Sequence, residues 1–164
     1  MNTPVITTRG PIEVACPYCL KPAQFLETSE EIYRGRDFGP AYRCAPCAAW
    51  CGAHRDSLLP LGRLANGVLR GLKIKVHVAF DPLWRDLRLA YPDAAVLPKW
   101  MYKKARSRAY RWLSFHLNIR PEDCHIGSFD EITCHKAILV IESNHADSAK
   151  VRTWIKEFDK EPQP

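Results

Sequence analysis

Two C-x-x-C pairs are the residues whose type and spacing most clearly indicate chemistry. They are Cys16/Cys19 and Cys44/Cys47. Each pair brings two thiolates within bonding reach of one zinc ion, about 2.3 Å from each sulfur, and four sulfurs leave no open coordination position. The pairs therefore predict one structural zinc per chain. The alternatives fit less well, since a redox dithiol normally occurs once near a βαβ pattern and a disulfide framework needs an oxidising compartment.

Other cysteine and histidine side chains supply enough ligands for a second metal ion or an active site. They are scattered along the chain, and buried unpaired cysteines often behave as small apolar side chains. Whether they meet in space is left open. These residues are Cys51, His54, Cys124, His125 and Cys134.

A catalytic pocket is a further use of the imidazole and carboxylate groups, as general acids and bases or as handlers of metal-bound phosphate. The chain has no H-E-x-x-H, P-loop or G-x-S-x-G motif, and the same residues can serve as packing or capping groups. A non-enzymatic protein is therefore the favoured interpretation. The pocket candidates are His54, His77, Asp81, His125 and Asp130.

The middle of the chain is strongly basic. Residues 61–120 carry 13 Lys/Arg and 3 Asp/Glu, within a chain of net charge +6. A solvated helix face usually mixes charge signs, whereas this block has no acid over residues 99–111. Phosphates of DNA or RNA are the partners that it favours, and exposed aromatic rings would stack on bases. The candidate binding residues are Lys99, Lys103, Lys104, Arg106, Arg108 and Arg111.

The elements that position these residues begin with two short strands, 23–27 and 31–34, and a turn at 35–40 before the second cysteine pair. Apolar residues then recur every three or four positions from Leu61, which predicts a helix that ends near Asp81-Pro82. A basic helix is predicted at about 98–117.

The last third predicts helices. Asp130 is of a residue type that often caps the N-terminus of a helix, which predicts a helix after it. The alternative is an aliphatic strand over 137–141. Val151, Trp154, Ile155 and Phe158 predict a short amphipathic helix near the end of the chain. The predicted domain organisation of the chain is a zinc ribbon at 1–56, a helical domain at 57–145, and a C-terminal helix with a frayed tail at 146–164.

The fold class predicted is α+β, with a four-cysteine zinc ribbon of short β-hairpins packed on a small, mainly α-helical domain. At 164 residues the chain has room for one sizeable core besides the ribbon. We expect neither a secretion signal nor a membrane span. Free cysteines in such a chain favour the reducing cytoplasm.

The ordered motifs from about residue 14 to residue 141 resemble a zinc-finger-containing family of phages and prophages, catalogued as a domain of unknown function. The motifs include Cys16-Pro17-Tyr18-Cys19, Tyr33 to Asp37, Tyr42 to Cys44, Cys47, Trp50, Gly52, His54, Pro60 to Ala65, His77, Phe80, Asp81, Leu83, Trp84, Ala109, Tyr110, Trp112, Leu113 and Cys124 to Asp130. The resemblance implies a phage accessory protein acting in the cytoplasm of a bacterial host. It implies no catalytic residues. Glycine often follows the second cysteine of such knuckles, but Leu20 and Ala48 stand there in this chain.

Three functions fit these patterns. The first is a non-enzymatic zinc-ribbon module that binds DNA or RNA through the basic helix. The second is an inhibitor or adaptor that binds a host protein or a defence ribonucleoprotein complex, because acidic surfaces also attract a basic face. The third is a metal-dependent nuclease built on the pocket candidates.

Overall fold

The computed structural model describes residues 10–85, 98–145 and 153. It confirms the α+β class, with a small antiparallel sheet and helices. The chain forms two compact units, the ribbon unit Met1–Arg70 and the helical unit Gly71–Pro164. The predicted amphipathic helix and tail at 146–164 lie outside the described residues, apart from Thr153.

The ribbon unit contains three antiparallel strands in the order β1, β2, β3. Their bounds are Gln24–Leu26, Ala41–Cys44 and Ala49–Gly52. In the register, Phe25 lies opposite Tyr42, and Tyr42 lies opposite Cys51. Because side chains alternate between the faces of a strand, this register collects Tyr42, Cys44 and Cys51 among the buried residues of one small core.

Tyr42 is fully buried at the centre of that core. Its ring meets Phe25 edge to face at 5.2 Å. Its hydroxyl donates to the carbonyl of Leu58 at 2.9 Å and accepts from the backbone N–H of Ile12 at 3.0 Å. One side chain thereby ties the sheet to the segments before and after it.

Replacing Tyr42 with Phe should destabilise the ribbon unit by about 1–2 kcal/mol, because two hydrogen bonds of a buried hydroxyl to the backbone are lost while the ring is kept. Urea unfolding of the zinc-loaded protein measures this loss. The matched control is Tyr33→Phe, whose hydroxyl makes no hydrogen bond within the described residues. A Tyr42→Phe protein as stable as the control would contradict the expectation.

The predicted strand at 31–34 is wrong, because the segment forms turns. Arg34 and Gly35 have positive φ angles of 54° and 86°, which lie outside the β region of a regular strand. The loop is held instead by Asp37, whose Oδ1 accepts from the backbone of Ser29 at 3.0 Å and of Gly39 at 2.7 Å. The β-forming residues here pack as a loop.

Helix α1 spans Gly67–Arg85, so the predicted start at Leu61 is wrong. The residues just before it pair with β3: the N–H of Leu61 donates to Gly52 at 2.8 Å, and Trp50 and Ala65 exchange two backbone bonds. Asn66 then caps the helix by accepting from the N–H of Leu69 at 2.9 Å. Sheet pairing therefore delays the helix by about one and a half turns.

The predicted end of this helix at Asp81-Pro82 is also wrong, since α1 continues through Pro82 to Arg85. Proline removes one backbone hydrogen bond, but buried residues on both sides favour continuation. The buried residues of α1 recur at helical spacing and include Leu72, Val76, Phe80 and Leu83.

Helix α2 spans Lys99–Leu117, close to the predicted 98–117. Its buried residues include Ala105, Ala109, Trp112 and Leu113. Asn118 ends the helix in the left-handed conformation, and its N–H bonds back to the carbonyl of Phe115. Asparagine is among the few residues that tolerate this geometry.

Helix α3 spans Glu131–His145, so the alternative of a strand over 137–141 is wrong. The carboxylate of Asp130 accepts from the N–H of Thr133 at 2.8 Å and caps the helix as predicted. Two 3-10 turns, Pro121–Asp123 and Ile126–Ser128, lie between α2 and α3. Among the described helices, none combines the length and the apolar character needed to cross a membrane.

Candidate metal centre and nucleic-acid interface

The first cysteine knuckle is a tight turn between Ala15 and Pro22, which flank it and pair with each other in a β-bridge. The N–H of Leu20 donates to the carbonyl of Cys16 at 2.9 Å, and the N–H of Cys16 donates to the backbone carbonyl of Lys21 at 2.8 Å. These bonds close the chain around the two sulfurs. Both thiols of the pair are therefore held on one side of the turn.

The second knuckle is the connection between β2 and β3, where Cys44 lies opposite Ala49 in the register. The N–H of Ala48 donates to Ala45 at 3.1 Å and tightens the turn. The sheet therefore fixes the second cysteine pair directly.

The four predicted ligands meet in space. The sulfurs of Cys16, Cys19, Cys44 and Cys47 all lie within 4.8 Å of one another. The sulfurs of Cys19 and Cys44 are 3.6 Å apart. Tetrahedral zinc with bonds of about 2.3 Å places its sulfurs about 3.8 Å apart, so the cluster fits the ion. It is a four-sulfur zinc site with no position left for substrate.

The thiols are electrostatically linked. Burial disfavours the Cys16 thiolate, but hydrogen bonds from the backbone of Tyr18 and Cys19 and from neighbouring thiols lower its pKa to about 7. Interaction with the Cys19 thiol, together with burial, raises the pKa of Cys47 to about 12. Four adjacent thiolates repel one another, and a divalent cation removes that repulsion.

Leu20 and Ala48, the residues that replace glycine after each knuckle, both have left-handed backbones, with φ angles of 60° and 47°. This conformation costs an L-residue about 1–2 kcal/mol. The side chain of Leu20 is 79% exposed, so little packing offsets the cost. The zinc ribbon therefore contains backbone strain at both turns.

Leu20→Gly and Ala48→Gly should each strengthen zinc retention about two- to fivefold, since relief of strain is partly offset by the entropy of glycine in the unfolded chain. Competition with a chelator at fixed pH measures the change. Ala45→Gly is the matched control, because Ala45 has no positive φ, and it should weaken retention or leave it unchanged. Weaker zinc binding by both knuckle variants would contradict the strain.

The other cysteines do not form a second metal site with the histidines: among the described residues, the four knuckle cysteines are the group found close enough to hold an ion. Cys51 is buried in the ribbon core. Cys124 and Cys134 are buried in the helical unit, where burial raises their pKa values to about 12 and about 11. Their thiols are protonated packing groups.

Of the five pocket candidates, His77 and Asp81 contact each other, and the other three lie in separate segments of the chain. His54 is an exposed residue of the ribbon unit. In the helical unit, the Nδ1 of His77 lies 3.4 Å from the Oδ1 of Asp81, and Asp130 caps α3. A groove of about 470 Å³ runs along α1 past His77 and Asp81. His125 lies in the turn before α3, stacked on Tyr110 of α2.

The basic residues of α2 fall outside its buried face. Lys99, Lys103, Lys104 and Arg106 are exposed, while Arg108 and Arg111 are half-buried. The helix contains no Asp or Glu. Trp100 is 64% exposed on the same side of the helix as Lys104, one turn away. The helix therefore presents cations and an apolar ring together to solvent.

Arg106 also makes contacts that the charge pattern did not predict. Its guanidinium lies 5.7 Å from the centre of the Trp84 ring and 5.6 Å from that of Tyr110. The contact between Arg106 and Trp84 joins two helices, so no local pattern in the sequence predicts it. Only their occurrence in the family-like motifs singles out Trp84 and Tyr110.

A family model described as a zinc-finger-containing domain matches residues 12–144 of the chain. The match covers the knuckles, the sheet and most of the described helices. No curated protein and no solved structure matches the chain.

Proposed function

The chain belongs to this family of zinc-finger-containing domains, and on that premise we propose that it is a non-enzymatic module that binds nucleic acid through the phosphates. The zinc is structural, because its four-sulfur shell is closed. A partner must therefore bind to a surface of the protein other than the zinc site. The exposed face of α2 is the surface that suits a polyanion best.

The observation that carries this proposal is the acid-free basic face of α2. A solvated helix gains stability from i,i+4 pairs of opposite charge, but α2 has no acid to form them. Lys99 and Lys103 are exposed and have no acidic partner within the described residues. Such uncompensated cations attract phosphates at long range and release counterions on contact.

Exposed Trp100 favours single strands as the target. A base stacked on an aromatic ring contributes about 1–3 kcal/mol, and any base offers its face, so the contact is sequence-tolerant. The bases of a duplex are already stacked on one another. We therefore expect single-stranded DNA or RNA to bind more tightly than duplex of the same length.

Fluorescence anisotropy with a labelled oligonucleotide of about 16 nucleotides, the upper site size of small single-strand-binding folds, tests this expectation. Trp100→Ala should weaken single-strand binding about tenfold and leave duplex binding nearly unchanged. Phe115→Ala is the control, since Phe115 is an exposed ring near the other end of α2. Absence of binding to every oligonucleotide at low salt would reject the proposal.

The biological setting that we propose is a phage accessory protein in the cytoplasm of a bacterial host, which rests on the resemblance of the motifs. A host protein or ribonucleoprotein is the competing partner. Capture from a nuclease-treated host lysate separates the two: a stoichiometric protein partner, together with no oligonucleotide binding, would favour the adaptor function.

A further inference from the structure

Three aromatic rings of the ribbon unit form a continuous row on the outside of the sheet. The ring of Trp50 meets that of Tyr33 with centroids 5.0 Å apart, and Tyr33 meets Phe38 at 4.7 Å, both edge to face. The guanidinium of Arg70 lies over the Trp50 ring at 4.7 Å. The buried core around Tyr42 does not include these rings. The row therefore belongs to the surface of the unit.

Phe38, at the open end of the row, is exposed and yet held in place. Its side chain is 63% exposed. Its backbone N–H donates to the hydroxyl of Ser29, a buried polar residue, at 2.7 Å, and the N–H of Gly39 donates to the carboxylate of Asp37 at 2.7 Å. Tyr33 packs against the ring itself. A ring that is already fixed loses little conformational freedom when a ligand binds to it.

Two arginines lie beside Phe38. The guanidinium of Arg55 lies against the backbone of Gly39, where its atoms are 3.1–3.4 Å from the position that a Cβ would take. Arg36 precedes Phe38 by two residues, and both arginine side chains are exposed. A guanidinium can stack on a base with its plane and donate to phosphate oxygens with its edge.

Acidic side chains balance much of this positive charge. Asp37 is next to Phe38, Glu31 pairs with an arginine of β2 at 2.8 Å, and Glu27 and Glu30 are exposed in the same loop. The surface around Phe38 is therefore less attractive to a polyanion than the acid-free face of α2. Its main contribution to binding is the exposed ring.

We propose that the ring of Phe38 is a stacking site for one unpaired base of a single-stranded nucleic acid, with Arg36 and Arg55 contacting the adjacent phosphate. The proposal rests on the function proposed above and adds a contact that belongs to the ribbon unit. An unpaired base offers its flat face to an aromatic ring, whereas the bases of a duplex are covered by their neighbours. The site therefore favours single strands.

Fluorescence anisotropy of the zinc-loaded protein with a labelled single strand tests the site. Phe38→Ala should weaken binding about tenfold, the loss expected from one stacked base. The slope of log affinity against log salt should stay unchanged, because stacking releases no counterions. Phe38→Trp keeps an aromatic ring and should bind at least as tightly as the native protein.

Phe115→Ala is the matched control, because it removes a phenyl ring that is 71% exposed on α2. It should bind the strand like the native protein. Native affinity in the folded, zinc-loaded Phe38→Ala protein would overturn the site and would leave a protein partner as the occupant of this surface. A loss in Phe38→Trp equal to that in Phe38→Ala would also overturn stacking.

Photochemical crosslinking separates failure of this site from failure of the proposed function. The probe is a single strand that contains 5-bromouracil. Trypsin cleaves after Arg36 and Arg43 and isolates residues 37–43, in which Phe38 is exposed and Tyr42 is buried. We expect crosslinks in this peptide.

Each distribution of crosslinks has a different meaning. Binding with crosslinks in α2 and none in residues 37–43 would overturn the site and keep the proposed function. Crosslinks in residues 37–43 and none in α2 would keep the site and overturn α2 as the binding face. A protein that binds no strand would overturn both.

Discussion

Removing zinc with a chelator, or replacing Cys16 with Ser, is expected to unfold the ribbon unit. Two of the ligands, Cys16 and Cys44, are themselves members of the buried core. The rest of that core is small, and its strands are three or four residues long. Structural zinc contributes about 10–16 kcal/mol in small domains at neutral pH, more than such a core supplies by itself.

Hydrogen exchange should therefore show loss of protection across residues 10–65. The cores of α2 and α3 should keep most of theirs, because they contain their own buried residues, among them Trp112, Leu113, Ala137 and Ile141. Elemental analysis should give one zinc per native chain and close to none for Cys16→Ser.

Cys51→Ala is the matched control for this experiment. Cys51 is a buried cysteine of the same core but not one of the four clustered ligands. It should retain one zinc per chain. Full protection in the metal-free protein, or zinc loss by Cys51→Ala equal to that of Cys16→Ser, would contradict the structural role of the metal.

Reversing two charges on α2, with Lys99→Glu and Lys103→Glu together, should weaken single-strand binding by at least about tenfold at low salt. Two phosphate contacts are lost, and two like charges then face the backbone of the strand. We choose these residues because both are exposed, whereas Arg106 packs on two rings and its replacement would disturb the helical unit.

The control carries the same charge change elsewhere in the helical unit: Lys75→Glu with Lys136→Glu, both exposed and on α1 and α3. It should keep more of the native affinity than the α2 variant, since it alters only the net charge. Equal weakening by both double variants would mean that overall charge, and not the face of α2, determines binding.

Local patterns were sufficient where neighbouring residues determine the structure. The cysteine spacing identified all four zinc ligands, and Asp130 was predictable as a cap because capping depends on residues three positions apart. The strand predicted at 31–34 is wrong because contacts with residues farther along the chain, and not the β propensity of the segment, determine its conformation. Tyr33 packs against Phe38 and Trp50, and Asp37 reaches back eight residues to Ser29.

The start of α1 was misplaced for the same reason. Leu61 and Leu64 continue the apolar period of the helix, but backbone pairing with β3 takes precedence up to Ala65. The contact of His125 with Tyr110 could not be read from spacing either, since the two residues are brought together by packing of the turn against α2. The sequence shows a tyrosine and a histidine at these positions but does not show that their rings are stacked.

The most direct test of the central claim is the dependence of single-strand affinity on salt concentration. Each phosphate contact contributes about −0.7 to the slope of log K against log salt for single strands. The native protein should show a steep negative slope, and the Lys99→Glu/Lys103→Glu protein a slope shallower by about 1.4. A slope near zero for the native protein, or equal slopes for the two, would contradict binding through phosphates at the face of α2.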